Sequence, residues 1–544
     1  MADIIGNAAS TAHVYPEGCY FKTIEDIKDK HVTIMGLGLN GGGEACVKFF
    51  LRHGAYVLVT DLKSRQELEP TILSLTMDKT LNRSRLSYVF GEHRVEDFAN
   101  ADCVIKNPGV KYEGNKYLAA AKAVETDMSI FLHFCKAPII AVTGSKGKSS
   151  TASAIAYGMK QSGFRCFLGG NIALSPLSFL EDTDGTTPVV LELSSWQLRD
   201  LRGRKVLKPK IAIITTILPD HQNWYDGMDS YVADKRLIYE NQDADDYTIL
   251  SADEDGYMDE CQNKHPECKC WGDDFALETR ATVFRYSKVP FIRSFYGAFL
   301  RQGRAGGAAI GYSYLPVKLR SRHGQQKDLR EEEILGELAV PGDIMRMNAL
   351  VAALALQLQG IAPLQIKGVL AQWPGLPYRM EACHSWTSPS DKRPVVFYND
   401  SCATVPEAAA AATQAFKRSV IYIGGGTDKN LDFFPLAQAL HGNNDVTFKP
   451  KDIYLLEGTG TEKLRTLLDA RHVSYRGPFA SIRDLLLELR VNLKDPDARK
   501  VYGPVSSKNP LPIVFSPGAT SFGMFANEFD RGEQFKKQVR DLFF

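Results

Sequence analysis

The chain has 544 residues and a formal net charge of +1. This near-neutral charge gives no global field that would favour nucleic acid or an acidic membrane surface. No stretch approaches the ~20 apolar residues of a membrane span, and the N-terminus lacks the pattern of a signal peptide. We therefore expect a cytoplasmic protein of several domains, whose ten cysteines are reduced thiols.

The first block runs from an apolar strand into a glycine loop, Gly36-Leu37-Gly38-Leu39-Asn40-Gly41, and then into a helix that ends at Gly54. The next strand ends at Asp61. This pattern is the dinucleotide fingerprint, in which a diphosphate lies on a helix N-terminus beside a ribose. A NAD-dependent oxidoreductase and a protein that binds a UDP-sugar both satisfy it, so the motif alone leaves both open.

Residues 138–151, PIIAVTGSKGKSST, carry the strongest pattern in the chain. An apolar run predicts a buried strand, a glycine-rich turn follows it, and a helical pattern continues to about Lys160. Backbone N–H groups at such a turn and helix N-terminus bind phosphate, Lys148 supplies a positive charge, and the Ser149 hydroxyl can hold Mg²⁺. The loop is two residues shorter than the general phosphate-loop signature. We expect a nucleoside triphosphate site here.

Polar residues follow two further apolar strands of this second block. Glu192 ends the strand PVVL, where a carboxylate beside the phosphate loop is placed to bind Mg²⁺. His221 follows the strand IAIITTI and is a candidate metal ligand or acid–base group, whereas the pattern around Lys235 alone indicates a solvated lysine. The arginine-rich stretch 277–330 predicts irregular antiparallel hairpins with the charge on a solvated face.

A third block of alternating strands and helices begins near Pro374. The chain is therefore predicted to be an α/β protein of three domains: N-terminal Rossmann-like, central P-loop ATPase-like with a mixed sheet, and C-terminal Rossmann-like. We expect a UDP-substrate-binding domain over residues 1–136 and an ATP-binding domain over 137–373, with an insertion at about 277–330. A domain for the incoming amino acid follows over 374–544.

Together the motifs resemble those of the Mur ligase family, which are ATP-dependent, amide-forming enzymes of peptidoglycan synthesis. The matching pieces, in family order, are TGSKGKSS, GGNI (169–172), LELSSWQ, PDHQNWY with Lys235, PGDIMRMNA, LPYRME (376–381), NDSCAT (399–404), GGGTDKNLDF (424–433) and SPGATSFGMFANEFDRG (516–532). They span nearly the whole chain. The GLGLNG loop and the C-terminal SFGMFANEFDRG resemble those members of the family that add D-glutamate.

The resemblance implies a reaction in which D-glutamate is joined to UDP-N-acetylmuramoyl-L-alanine through an acyl phosphate, with ATP and Mg²⁺. It implies a monomer with no nucleic acid partner and no insertion into a membrane. The alternatives are a sister Mur ligase, a folylpolyglutamate-type ligase that shares the central motifs, a non-catalytic nucleotide-binding scaffold and the NAD-dependent oxidoreductase.

The resemblance also implies roles for individual residues. The UDP part of the substrate would be bound by Gly36, Leu37, Gly38, Leu39, Asn40, Gly41, Asp61 and Asn107, and the muramoyl part by Asn171, Ser194 and Gln197. ATP would be bound by Gly144, Ser145, Lys146, Gly147, Lys148, Ser149, Ser150, Asn348, Arg379 and Asp400. Mg²⁺ would be bound by Ser149, Glu192, His221 and Lys235, the last as a carbamate. The catalytic set would be Lys148, Glu192, His221 and Lys235. D-glutamate would be bound by Thr404, Lys429, Ser521 and Phe522.

The chain departs from the family pattern in two motifs, and it is also longer than a typical member, with the excess at about 277–330. Ile344 and Met345 stand where the central helix usually opens with a His-Asn pair. Cys402 stands where some members carry a lysine, which leaves more of the charge complement for the D-glutamate carboxylates to Lys429.

Overall fold

The computed structural model describes the chain from residue 12 to 544. It leaves out residues 40, 173, 219, 221–223, 253–270, 292–294, 304–307, 317–328, 443–448, 496–504, 507 and 508. The chain divides into two compact units, Met1–Glu337 with Met347–Ala371 and Leu338–Arg346 with Gln372–Phe544. Within the described part, no helix has the length and apolar character that crossing a membrane requires.

The first unit opens with a five-stranded parallel sheet. Its strands are β1 (His31–Met35), β2 (Tyr56–Asp61), β3 (Leu86–Phe90), β4 (Cys103–Lys106) and β5 (Val124–Glu125). Their order is β3-β2-β1-β4-β5, and every neighbouring pair is parallel. The helices are α1 (Gly42–Arg52), α2 (Glu69–Met77), α3 (Val95–Ala99), α4 (Lys116–Ala120) and α5 (Asp127–Phe134). Because the strands are apolar runs covered by helices, this is the predicted Rossmann-like arrangement.

A nine-stranded mixed sheet follows in the same unit. Its strands are β6 (Ile139–Thr143), β7 (Phe167–Gly170), β8 (Val189–Glu192), β9 (Ile211–Ile214), β10 (Tyr247–Ser251), β11 (Thr282–Ser287), β12 (Gly297–Arg301), β13 (Ile310–Pro316) and β14 (Leu329–Leu335), in the order β14-β13-β12-β11-β10-β9-β6-β8-β7. The helices are α6 (Lys148–Gln161), α7 (Ser195–Arg199), α8 (Met228–Arg236), α9 (Trp271–Glu278), α10 (Asp343–Leu358) and α11 (Pro363–Leu370). The sheet places the carboxyl ends of β6, β8 and β9 side by side.

The stretch 277–330 differs from its prediction in two ways. The β11 strand pairs in parallel with both β10 and β12, so only β12, β13 and β14 form the expected antiparallel meander. Arg285 is buried, and its Nη2 lies 2.6 Å from Asp273 Oδ1. The prediction of a solvated arginine face is therefore wrong for Arg285, because an ion pair compensates for the burial of its charge.

Buried ion pairs join the two sheets of the first unit. The ammonium of Lys106, at the end of β4, lies 2.7 Å from Asp200 Oδ2, and Arg204 Nη1 lies 2.8 Å from Glu125 Oε2. All four side chains are almost fully buried. Burial still raises the pKa of Asp200 to about 6, although Lys106 opposes that rise. Removing one partner of such a pair would leave an uncompensated buried charge.

The segment 12–20 runs along this junction. The N–H groups of Tyr15 and Gly18 donate to the carbonyl oxygens of Arg202 and Arg204, at 2.9 and 2.7 Å. The Tyr15 hydroxyl donates to Asp200 Oδ1 at 3.2 Å. The guanidinium of Arg204 also stacks over the Tyr15 ring, 4.2 Å from its centroid. The segment is therefore an integral part of the ionic layer between the two sheets.

The second unit contains a six-stranded sheet. Its strands are β15 (Glu381–Thr387), β16 (Pro394–Asn399), β17 (Ile421–Gly424), β18 (Asp452–Leu456), β19 (Arg476–Phe479) and β20 (Leu511–Phe515), in the order β15-β16-β20-β17-β18-β19. Only the edge strand β15 is antiparallel. The helices are α12 (Pro406–Gln414), α13 (Phe434–His441), α14 (Thr459–Asp469), α15 (Ile482–Lys494) and α16 (Glu528–Leu542). The predicted α/β class is thus confirmed in both units.

Candidate active site

The phosphate loop has the predicted strand–turn–helix geometry, and two of its glycines are required by that geometry. Gly144 and Gly147 have φ of 143° and 95°, a region that favours glycine. A β-carbon on Gly144 would overlap Thr215 Oγ1, and one on Gly147 would lie 2.5 Å from Asn348 Oδ1. The loop therefore lies in close contact with Asn348, one of the residues predicted to bind ATP.

Ser145 braces this loop from inside. Its buried hydroxyl donates to Leu218 O at 2.9 Å and accepts a hydrogen bond from the Tyr231 hydroxyl at 3.0 Å. The N–H groups of Ser145 and Lys146 both donate to Thr216 O, at 2.8 and 3.4 Å. These groups hold the loop in place. The N–H groups at the start of α6, which begins at Lys148 and continues with Ser149 and Ser150, have no intrahelical acceptor and are the ones suited to phosphate.

Two lysines meet at the phosphate loop. Lys148 Nζ donates to Gly144 O and Ser145 O, both at 3.0 Å, and Lys235 Nζ donates to the same Gly144 O at 2.9 Å. Lys235 is only 1% exposed and lies over the Tyr231 ring. Burial, reinforced by the charge of Lys148, lowers the pKa of Lys235 well below its usual value. Lys235 is therefore a buried site residue and not the solvated lysine that the sequence pattern alone indicates.

Glu192 ends β8, directly beside the strand that carries the phosphate loop. Its side chain is buried, with Oε1 accepting a hydrogen bond from Asn171 Nδ2 at 2.9 Å. The other carboxylate oxygen, Oε2, is buried and has no hydrogen-bond partner among the described residues. Because an unsatisfied buried carboxylate oxygen is costly, it suits a hard cation such as Mg²⁺.

Four further predicted site residues either cap a helix or lie outside the described part of the chain. Ser194 and Gln197 form the capping box of α7: Gln197 N donates to Ser194 Oγ at 3.2 Å, and Ser194 N donates to Gln197 Oε1 at 3.0 Å. Asn40 and His221 lie outside the described residues. In the described part of the chain, no group of three or more His, Cys, Asp or Glu side chains is arranged to hold a metal ion.

The glycine loop of the first sheet is closed by Asp61. Its Oδ2 accepts hydrogen bonds from Leu37 N and Gly38 N, at 2.8 and 3.1 Å. The carboxylate therefore fixes the loop in addition to any contact with a ribose. Gly41 caps α1 with φ of 81°, whereas a β-carbon on Gly43 would overlap Leu37 O. Gly43, the glycine that allows the helix and the strand to pack closely, was not among the predicted site residues, although it belongs to the run of three glycines at 41–43.

A cavity lies at the carboxyl end of this sheet, beside the start of α1. Gly36, Gly42, Lys106, Asn107 and Asp127 are among the residues that line it. Asn107 is a predicted UDP ligand, and its Oδ1 accepts a hydrogen bond from Gly109 N at 3.0 Å. Since a helix N-terminus attracts anions, the start of α1 is where the predicted diphosphate would lie.

In the second unit, the predicted D-glutamate residues follow three adjacent parallel strands. Thr404 follows β16, Lys429 follows β17, and Ser521 and Phe522 follow β20. Two of these loops are joined, because Thr427 and Thr520 exchange backbone hydrogen bonds at 3.2 and 3.0 Å. Ser521 is buried and Thr404 is half-buried, whereas Lys429 and Phe522 are exposed.

Arg531 lies beneath these loops and was not assigned a role from sequence. It is 1% exposed, and its guanidinium donates to Ser401 Oγ, Ser401 O and Ala519 O at 3.0, 2.8 and 3.0 Å. Desolvation lowers its pKa to about 10. The residue belongs to the FDRG motif quoted above, so the motif did point to it. Its bonds tie the loop after β16 to the loop after β20.

Asp400, a predicted nucleotide contact, is directed into the second unit. Oδ1 accepts from Met380 N at 3.1 Å and Oδ2 from the Ser516 hydroxyl at 2.7 Å, while burial raises the pKa of Asp400 to about 7. Its contact with ATP, and that of the exposed Arg379, stay predictions.

Burial also raises the pKa of the neighbouring Cys402 to about 11, so its thiol brings no charge to the predicted D-glutamate site at neutral pH.

Comparison with known proteins decides the family. The chain matches the MurD-like N-terminal domain model of Mur ligases over residues 30–129 and the Mur ligase middle domain model over residues 142–294. It is 38% identical to the UDP-N-acetylmuramoylalanine–D-glutamate ligase of Treponema pallidum (strain Nichols), over 95% of this chain and 98% of that one. The enzyme of the same name from Borreliella burgdorferi is 34% identical, over 95% and 99%. The chain belongs to the Mur ligase family.

As a Mur ligase, the protein is an ATP-dependent, amide-forming enzyme of peptidoglycan synthesis. A solved structure supports the fold. The UDP-N-acetylmuramate–alanine ligase of Thermotoga maritima superposes with a TM-score of 0.52 at 16% identity, over 94% of this chain and 99% of that one.

Proposed function

We propose that this Mur ligase joins D-glutamate to UDP-N-acetylmuramoyl-L-alanine, with conversion of ATP to ADP and phosphate. Relatives that are 32–38% identical over nearly the whole chain carry this reaction in their names, and the chain is a ligase of that D-glutamate-adding type. The observation that carries the proposal is the convergence of Lys148, Lys235 and Glu192 around a phosphate loop. We also propose that the enzyme works as a cytoplasmic monomer.

The proposed reaction has two steps, phosphoryl transfer and amide formation. An oxygen of the L-alanine carboxylate forms a bond to the γ-phosphorus, the bond to the bridging oxygen breaks, and ADP leaves. The amine of D-glutamate then attacks the acyl phosphate carbonyl, phosphate leaves through a tetrahedral intermediate, and the nitrogen loses a proton. Both steps bring anions together, so positioning and charge neutralisation supply most of the catalysis.

Lys148 supplies the positive charge that meets the transferring phosphoryl group. Its two hydrogen bonds to the loop carbonyls hold the ammonium beside the start of α6, where the backbone N–H groups face the same anion. The Ser145 hydroxyl anchors the loop to Leu218 O, the Thr215 hydroxyl donates to Lys146 O of the loop, and Asn348 lies against Gly147. Asn348 would contact the nucleotide from this position.

The residues present fit Mg²⁺. Glu192 Oε2, Ser149 and Lys235 would hold it, together with His221. When bound, Mg²⁺ neutralises negative charge on the phosphates. Lys235 can take part only as a carbamate, which forms when a neutral amine bonds to the carbon of CO₂ and loses a proton. Because burial lowers the pKa of Lys235, the neutral amine is more abundant there than on a solvated lysine.

The UDP part of the substrate and D-glutamate would bind at two sites away from the phosphate loop. The UDP part would bind at the loop of Gly36–Gly41 braced by Asp61, with its diphosphate at the start of α1. D-glutamate would bind at the carboxyl ends of the strands of the six-stranded sheet, where the exposed Lys429 would pair with a carboxylate. The charge complement would then rest on Lys429, because burial keeps the thiol of Cys402 neutral.

A phosphate-release assay tests the proposal. The protein is given ATP, Mg²⁺ and UDP-N-acetylmuramoyl-L-alanine with one amino acid at a time from a panel. We expect release that depends strictly on D-glutamate. Equal release with L-lysine or diaminopimelate would assign the chain to a sister ligase, and release with a folate and L-glutamate would assign it to the folylpolyglutamate type. Binding of NADH without phosphate release would favour the oxidoreductase.

A further inference from the structure

Asn171 makes two hydrogen bonds to one residue, Glu192. Its backbone N–H donates to Glu192 O and its Nδ2 donates to Glu192 Oε1, both at 2.9 Å. Asn171 directly follows β7, and in the parallel register of β7 and β8 Gly170 lies opposite Glu192. The amide thus reaches the carboxylate from the adjacent strand. Two bonds to the same residue fix both the backbone and the rotamer of Glu192.

The backbone before Asn171 is built for this contact. Gly170 has φ of 100°, and a β-carbon at that position would overlap the carbonyl oxygen of Glu192. Only glycine therefore lets β7 and β8 approach this closely and turns the following residue, Asn171, toward the carboxylate. The Asn171–Glu192 pair is a consequence of local backbone geometry as well as of side-chain chemistry.

The hydrogen bond from Asn171 gives the two carboxylate oxygens of Glu192 different surroundings. Oε1 is occupied by the amide, whereas the buried Oε2 has no partner among the described residues. A neutral amide is suited to this task because it donates without bringing a positive charge that would repel a cation. Outer hydrogen bonds of this kind commonly orient the carboxylates that bind metals.

We infer that Asn171 is a positioning residue that holds Glu192 in the orientation needed to bind a divalent cation through Oε2. This differs from the muramoyl-binding role that the family resemblance implies for Asn171. The inference rests on the proposed function, since it assumes that Glu192 binds the cation that accompanies ATP.

Metal affinity measured without turnover tests the inference. Mn²⁺ replaces Mg²⁺, a non-hydrolysable ATP analogue replaces ATP, and free Mn²⁺ is followed by electron paramagnetic resonance. For Asn171→Ala we expect the half-saturating Mn²⁺ concentration to rise about 10- to 100-fold, the usual effect of losing such a partner. Glu192→Gln gives the upper limit of the effect. Asn241→Ala is the matched control, because the Asn241 side chain donates to Leu207 O elsewhere in the unit and should leave Mn²⁺ affinity unchanged.

Steady-state kinetics separate the two roles of Asn171. If it positions Glu192, Asn171→Ala raises the Mg²⁺ requirement while the KM for UDP-N-acetylmuramoyl-L-alanine stays within about twofold at saturating Mg²⁺. Unchanged Mn²⁺ affinity with a raised substrate KM would overturn the inference. If the alanine variant does not fold, Asn171→Ser serves instead. The serine side chain is shorter than that of asparagine, so its hydroxyl cannot reach Oε1 of Glu192. Failure of the wild type to use D-glutamate would refute the proposed function but leave the Mn²⁺ result intact.

Discussion

Around the phosphate loop, three side chains with predicted roles, those of Ser145, Lys235 and Glu192, are buried and hydrogen-bonded to the protein. At the edge of the third sheet, two of the predicted D-glutamate residues, Lys429 and Phe522, are exposed, and Phe522 has 65% of its surface accessible. The buried hydrogen bonds of this region are made by residues beneath the loops, chiefly Arg531 and Asp400.

The difference follows from what each region has to do. Phosphoryl transfer depends on charges whose positions are fixed before the substrate arrives, so the groups that supply them are held by other groups. Lys429 and Phe522, two predicted ligands of the amino acid, lie at the surface, where an incoming substrate can reach them. Substitutions at the phosphate loop should therefore lower the rate, those beneath the third-sheet loops should lower stability, and those on the loops should weaken only amino acid binding.

The largest expected effect is at Lys148. Replacing it with alanine removes the fixed charge that meets the phosphoryl group, and by analogy with the loss of one preorganised donor the rate should fall about 10²–10³-fold. Single-turnover phosphate release measures this. Lys160→Ala, an exposed lysine of the same helix, is the control. Near-normal turnover of the Lys148 variant would remove the residue from the mechanism.

Arg531 tests the claim that the third-sheet loops depend on what lies beneath them. Arg531→Met leaves the Ser401 and Ala519 oxygens buried without their donor, and we expect the free energy of unfolding to fall by about 3 kcal/mol. Urea denaturation followed by circular dichroism provides the measurement. Arg540→Met, at an exposed position of the same helix, should change stability little. Equal stability of the two variants would contradict the structural role of Arg531.

Asp400 gives the second unit a pH-dependent stability. Its pKa is raised to about 7 in the fold, so between its unfolded pKa and pH 7 the native state binds a proton that the unfolded state has lost. Stability should therefore fall as pH rises, by about 2 kcal/mol between pH 5 and 6.5 from this group alone. Asp400→Asn should lack that component. Identical pH profiles of unfolding for the variant and the wild type would refute it.

The smallest effect is expected at Lys429. Because the lysine is exposed, Lys429→Ala should leave unfolding unchanged and raise the KM for D-glutamate about tenfold, with kcat altered much less, as expected when a binding contact to charge is lost. Lys451→Ala is a control at another exposed lysine of the same unit. A fall in kcat without a change in KM would show that the loops contribute to the chemistry and would break the comparison.

Local patterns predicted much of this molecule. The apolar run, glycine turn and helix around Lys148 are adjacent in the chain, so periodicity and turn chemistry were sufficient to place them. The position of Glu192 at the end of a strand was predictable for the same reason. The alternating strand and helix patterns also predicted the α/β class, which both units confirm.

What the sequence could not supply are contacts between elements that are distant in the chain. The burial of Lys235 depends on where α8 packs, which its own pattern does not encode. The Asn171–Glu192 bond depends on β7 being the neighbour of β8. The parallel pairing of β11 was missed because aromatic and β-branched residues suit both strand directions.

The contacts of Tyr15 have a practical consequence. The match to the MurD-like N-terminal domain model starts at residue 30, yet Tyr15, which lies before that limit, donates to Asp200 and stacks on Arg204. A shortened version that begins at residue 30 would expose the buried ion pairs of Asp200 and Arg204 to water. We therefore expect truncations designed from the limits of the domain model to lower the thermal stability of the protein.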